Sequence, residues 1–167
     1  MRQDKAIRIG PRYRALLAGA GLLLTAALAA LAGEVTVIDG DTLEIDGKRY
    51  DLFAVDAPEP GQRCRIKQQS YDCGEVARTA LLDLTAGVAV TCRYLEAGSG
   101  TAARCSADGY DLSEGMAYTG WALADRAVSD RYLALERGAE KAKRGLWRGQ
   151  FIPPAAWRAG QRLPEAE

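Results

Sequence analysis

The chain has 167 residues, with 22 basic and 22 acidic side chains and no histidine. The missing histidine excludes Ser-His-Asp and Cys-His catalysis and histidine-ligated zinc. The balanced charge argues against a general nucleic-acid binder, whose affinity rests on an excess of phosphate-neutralising cations.

The first 32 residues read as a targeting segment. Arg2, Lys5, Arg8, Arg12 and Arg14 precede an uncharged Ala/Leu-rich run, Ala15 to Ala32, that ends in small residues suited to cleavage before Gly33. An uncleaved membrane anchor is the alternative, because the run is at the lower edge of what spans a bilayer. The expected location is therefore exported, periplasmic or secreted, or anchored by that segment. Removing it takes away five basic residues and one acidic one, which leaves a net charge of −4. The mature part suffices for one domain around one core.

Three β-rich runs follow, Val35–Ile38, Thr42–Ile45 and Arg49–Val55. Asp46-Gly47 between the last two is a two-residue hairpin signal. Asp39 and Asp41 flank one glycine, so in extended chain they share a face. Asp56 and Glu59 follow the third run, with Pro58 turning the chain between them. Four carboxylates at element ends suit a hard cation, which takes oxygen ligands.

Pro60 to Arg65 reads as a turn and a basic loop. Asp72 caps a helix running to about Ala86, with Val76, Ala80, Leu81 and Leu84 on its apolar face. Strands are expected at Val88–Tyr94 and Thr101–Ala107, a helix at Leu112–Thr119, and a last helix from Ser129 or Asp130 to Arg144 with Leu133, Ala134 and Ala142 inward. The tail from Phe151 reads as irregular chain. Residues 33–158 form the expected domain and 159–167 a polar tail.

The four cysteines of an exported chain read as two disulfides. Cys92 and Cys105 lie on two strands that fold about Ala97 to Gly100, which places them opposite each other. Cys64 then pairs with Cys73 across a short loop.

Asp39-Gly40-Asp41-Thr42 followed by Val55-Asp56-Ala57-Pro58-Glu59 resembles the signature of the thermonuclease (staphylococcal-nuclease-like) family. Ala103-Arg104-Cys105, Gly120-Trp121-Ala122, Ser129 to Tyr132 and Gly145-Leu146-Trp147 are similar to later stretches of that family. The resemblance covers about Glu34 to Arg158. The element order is α+β, mainly β, and the resemblance implies a five-stranded Greek-key barrel, the OB-fold, with three helices.

The resemblance also implies a site. Asp41 and Asp56 match two carboxylate ligands of a Ca²⁺ ion, Ala57 supplies a backbone-carbonyl ligand, and Asp39 supports them. Glu59 matches the general base. The two phosphate-clamping arginines do not match, because Asp51 and Gly100 occupy their positions. Aromatic residues that stack on a base are missing between Trp121 and Ser129. Losing one transition-state arginine typically costs roughly 10³–10⁵ in rate. Arg49 shares a strand face with Asp51 and is expected to pair with it. No arginine is expected to reach both the carboxylates and a phosphate-sized space beside them.

Three functions remain open. The first is an exported thermonuclease-like module, weak or inactive as a nuclease, that binds a cation or a partner. The second is a working Ca²⁺-dependent endonuclease with a rearranged clamp. The third is an envelope or exopolysaccharide-associated non-catalytic protein. The expected partners are weakly held nucleic acid or an unidentified protein or envelope component, and the expected state is a monomer.

Overall fold

A computed structural model describes residues 34–95 and 100–164. The segment read as a signal or anchor lies outside the described residues. No described helix is long and apolar enough to cross a membrane.

The chain is mixed α+β with sheet predominating. Strands β1 (Val35–Val37), β2 (Thr42–Ile45) and β3 (Lys48–Leu52) form an antiparallel meander. Asp46 and Gly47 both have positive φ, 52° and 71°, as a tight right-twisted hairpin requires. Phe53 and Ala54 break the third run, and a two-residue β4 (Val55–Asp56) follows. The segment read as a basic loop is instead a second hairpin, β5 (Arg63–Ile66) with β6 (Gln69–Asp72). β5 alternates Arg63, Cys64, Arg65 and Ile66, but its partner β6, Gln69-Ser70-Tyr71-Asp72, is mostly polar and gives no such signal. Helix α1 spans Cys73–Thr85. Then come β7 (Val90–Tyr94), β8 (Ala102–Ala107), β9 (Tyr110–Asp111), α2 (Leu112–Thr119), β10 (Leu123–Ala124), α3 (Asp130–Lys141), a 3₁₀ turn at Gly145–Arg148, and α4 (Pro154–Arg158).

The main sheet runs β1-β2-β3-β8-β7, with β9 on β8. β8 joins β3 in parallel, pairing Asp51 with Ala102 and Leu52 with Ala103. Among the described residues no pairing closes β7 onto β1, so the closed barrel expected from the sequence is not present. β1 is only three residues long, all of them paired with β2. Helices cover the core instead. Ala77 and Leu81 of α1 and Leu112 and Met116 of α2 pack with Val37, Leu43, Leu52, Ala103 and Cys105. Leu43, Leu81, Leu112 and Met116 are fully buried, and each contributes roughly 1.5–3 kcal/mol.

Caps set the helix starts. Asp72 accepts from the Glu75 amide at 2.9 Å, Asp111 from the Glu114 amide at 3.1 Å and Ser129 from the Tyr132 amide at 3.2 Å. The inward face of α1 is largely the one expected, with Leu81 buried and Ala80 and Leu84 packed against the core, while that of α3 differs. α1 buries Cys73, Ala77, Leu81 and Thr85, while Val76 is exposed. The Cys64–Cys73 bridge ties the first turn of α1 to β5. α3 buries Tyr132, Glu136 and Ala139 rather than Leu133, Ala134 and Ala142, and it ends at Lys141. Leu133 is half-buried, and Ala134 and Ala142 are exposed. The tail holds a short helix, α4, with Pro154 in its first turn, where the missing amide costs nothing.

Both disulfides form as expected. Cys92 and Cys105 are directly opposite in the β7–β8 register, with Cα atoms 4.1 Å apart. Cys64 and Cys73 close a nine-residue separation.

Candidate functional site

The turn from Asp39 to Asp41 is a bend rather than the extended chain expected. The Asp39 carboxylate accepts from the Asp41 amide at 3.1 Å, which curls the segment on itself. Gly40 is needed here by packing. A Cβ would lie 2.7 Å from the Cβ of Ala57 and 2.8 Å from that of Ala77. The bend is thereby pressed between the β4 exit and α1.

That packing brings Asp41 to Ala57. Oδ2 of Asp41 accepts from the Ala57 amide at 2.6 Å. Burial pushes the Asp41 carboxyl up to about 8, and the charges of Asp39 and Asp56 add to the rise. The Ala57 amide pulls the other way. The charges of Asp39 and Asp56 therefore bear on Asp41.

β4 and the following turn hold Asp56 and Glu59. β4 is positioned by β10, with Asp56 opposite Leu123. The Glu59 loop sits on the start of α1, where Gly74 lies so close that a Cβ would strike the Glu59 carbonyl oxygen. Gln62, fully buried, accepts from the Glu59 amide through Oε1 at 3.0 Å.

Arg158, which the sequence reading did not name, reaches two of these carboxylates. Nη1 of Arg158 donates to Asp56 Oδ1 at 2.7 Å, and Nη2 to Oδ2 at 2.9 Å. Nη1 also donates to Glu59 Oε1. The fork-to-fork geometry with Asp56 is the strong form of this pair, although the Arg158 side chain is half-exposed, so water screens it. The two carboxylates hold the Arg158 guanidinium charged even more firmly than usual. Arg158 lies 102 residues from Asp56. Only the proximity of a tail arginine to a proline-started turn could have hinted at it.

Neither expected clamp position is itself an arginine, since Asp51 and Gly100 stand there. The Asp51 carboxylate is held by Arg49 Nε at 3.1 Å and by the hydroxyls of Thr42, at 3.2 Å, and Thr101. Arg49 is thus paired with Asp51, as expected. Gly100 has a φ of 71° and open space around it. Arg104 is turned elsewhere, 4.3 Å over the Phe53 ring and 3.3 Å from the Tyr132 hydroxyl. Arg126 pairs with the buried Glu136 at 3.5 Å.

A cleft of about 660 Å³ opens beside Asp56. Leu123, Trp147, Phe151 and Pro153 form its apolar wall, and Asp125, Arg126 and Glu136 its polar one. Glu136 also accepts from the Ala124 amide at 2.6 Å, which holds β10 in place. Trp147 Nε1 is buried with no hydrogen-bond partner among the described residues. The sequence reading gave none of these cleft residues a role in the site.

The residues do not fit a Ca²⁺ ion as they are arranged. Among the described residues no group of three or more Asp, Glu, Cys or His side chains is gathered to hold a metal ion. Asp56 has both oxygens on Arg158, and Asp41 spends one on the Ala57 amide.

No protein-family model matches the chain. It is 34% identical over 154 residues to the succinoglycan biosynthesis protein ExoI of Rhizobium meliloti (strain 1021), across 85% of this chain and 79% of that protein. At that identity and coverage, the chain belongs to the family of this succinoglycan biosynthesis protein.

Proposed function

We propose that this chain is an exported, thermonuclease-like module that serves exopolysaccharide production without phosphodiester hydrolysis. The strand order β1-β2-β3-β8-β7, with β8 parallel to β3, supports an OB-like Greek key left open at one seam. The name of the ExoI relative supports the polysaccharide setting. One observation carries the non-catalytic reading. The Asp51 carboxylate, fixed by Arg49, Thr42 and Thr101, stands where a phosphate clamp would need a cation. The Arg49 cation beside it is spent on that carboxylate, so the pair offers a phosphate no free positive charge. Nucleic acid is therefore a weak ligand of the net-negative mature chain.

A second reading has one observation in its favour. The Arg158 guanidinium reaches Glu59, the expected base. In a working endonuclease it would be the displaced clamp.

The test has two arms. Purified residues 33–167 are assayed for Ca²⁺-dependent cleavage of single-stranded DNA and RNA, beside the Asp51→Arg/Gly100→Arg and Arg158→Ala variants. The native chain is expected to cleave no faster than buffer. Robust cleavage lost in both Glu59→Ala and Arg158→Ala establishes the endonuclease instead. In the producing cell, a deletion strain should lose exopolysaccharide, and Glu59→Ala should restore it as fully as the native gene. Failure of that variant to restore it defeats the non-catalytic reading.

A further inference from the structure

We infer that the outer face of the β7–β8 hairpin binds a carboxylate of an acidic polysaccharide between Arg93 and Arg104. The site stands on its geometry, and only the choice of polymer rests on the exopolysaccharide reading above.

Strand register sets the two arginines face to face. Arg93 of β7 is directly opposite Arg104 of β8, next to the bridged pair Cys92 and Cys105. Cys105 is buried in the core, and successive side chains of a strand leave opposite faces. The arginines therefore stand on the outer face, and both are exposed. Two positions along that face Thr91 is opposite Ser106, with their hydroxyls 3.1 Å apart. All four side chains line one cavity of about 600 Å³.

Like charges directly opposite on paired strands destabilise a sheet. Other arginines of this chain settle on carboxylates, Arg49 on Asp51, Arg126 on Glu136 and Arg158 on Asp56 and Glu59. Among the described residues neither Arg93 nor Arg104 has an ion-pair partner. Asp111 also lines the cavity, but its oxygens accept from the Glu114 amide at 3.1 Å and the Tyr132 hydroxyl at 2.8 Å. Arg104 is fixed in place, 4.3 Å over the Phe53 ring and with Nη1 on the Tyr132 hydroxyl at 3.3 Å. The pair thus presents planar donor forks that lack an anion, and the two oxygens of a carboxylate match such a fork. Thr91 and Ser106 both donate and accept, as the hydroxyls of a sugar require. Two cations beside one acid suit single carboxylates spaced by sugar rings. The closely spaced phosphates of nucleic acid need a longer run of cations.

The experiment uses the oxidised mature chain, in which Glu34–Glu167 is one compact unit. Calorimetry at low ionic strength titrates it with polygalacturonate fragments, with neutral dextran of equal length and with single-stranded DNA. Polygalacturonate should bind, dextran should not, and DNA should bind more weakly. Monomeric galacturonate should displace the polymer better than inorganic phosphate does. Arg93→Gln should weaken polygalacturonate binding about ten-fold or more. Arg93→Glu sets an acid opposite Arg104. It should abolish binding and raise the melting temperature, because a cross-strand ion pair replaces a repulsion, and a stabilised chain has not lost binding by unfolding. Absence of polygalacturonate binding overturns the site, as does equal affinity in the native and Arg93→Glu chains, equal binding of dextran, or a lowered melting temperature in Arg93→Glu. Tighter binding of DNA, or better displacement by phosphate, overturns the carboxylate assignment. A deletion strain that still makes exopolysaccharide sinks the proposed function and leaves this titration standing. A failed titration beside lost exopolysaccharide sinks this site alone.

Discussion

The buried side-chain amide of Gln62 joins two segments 90 residues apart by donating to the carbonyl of Ile152 at 2.7 Å. Its oxygen accepts from the Glu59 amide, and its own backbone carbonyl accepts from the Cys73 amide at 3.0 Å. One residue thus sets the Glu59 turn, the start of α1 and the approach to α4. Gln62→Leu leaves the partly buried Glu59 amide and Ile152 carbonyl without their partner. Each orphan costs about 1–3 kcal/mol. The variant should lose roughly 2–4 kcal/mol in urea unfolding, with faster exchange at 153–160. A loss below about 1 kcal/mol would show that water replaces the amide.

Gly40 is a packing residue, and Gly40→Ala should demonstrate it. The added methyl meets Ala57 and Ala77 at 2.7–2.8 Å, so the bend or α1 must shift. Overpacking of this kind typically costs about 1–3 kcal/mol. Gly40→Ala/Ala77→Gly should recover part of that loss, which a thermal-melt comparison of the two variants reads directly. No recovery would place the fault in the bend's backbone.

The hairpin bridge and the helix bridge should contribute separately. Replacing Cys92 and Cys105 by serine removes a link between opposed strands, and replacing Cys64 and Cys73 frees the start of α1. Each loss should be about 2–4 kcal/mol. Only the second should accelerate exchange in the Glu59 turn and α1. A faster Glu59 turn in the Cys92/Cys105 variant would contradict the separation.

Tyr132 makes stability fall in strong base. Burial pushes its hydroxyl up to about 12, helped by the hydrogen bond it donates to Asp111 at 2.8 Å. Arg104 nearby pulls the other way. The unfolded chain ionises this group near the ordinary 10.0. Below pH 10 both states hold the proton, and the contribution is complete. Between pH 10 and 12 the unfolded state releases it first, so stability is lost as pH rises. Denaturant midpoints should be flat across that tyrosine's neutral range and fall from pH 10 upward. Tyr132→Phe should fall less steeply there, while starting lower for want of the Asp111 bond. Parallel curves would remove Tyr132 from the account.

What the sequence by itself determined is local. Asp46-Gly47 makes its turn because both residues tolerate positive φ, and Asp72, Asp111 and Ser129 cap helices through bonds three residues ahead. Cys92 and Cys105 meet because a hairpin sets its own register. The sequence expectation put Asp39, Asp41, Asp56 and Glu59 in one group; the structure links Asp56 and Glu59 through Arg158, and among the described residues no three carboxylates gather to hold an ion. The tertiary structure decided which partners they take. Arg158 reaches Asp56 across 102 residues, and nothing in a five-residue alanine-rich helix announces its destination. α1 buries Ala77 and exposes Val76 because Ala77 and Leu81 pack into the core that β-strands from both halves of the sheet supply. The barrel seam stays open because the pairing of two distant edges depends on how far β1 extends, a length that alternating residues alone do not set. Short-range bonds are written in neighbouring side chains, whereas long-range pairs depend on loop closure and packing summed over the whole chain.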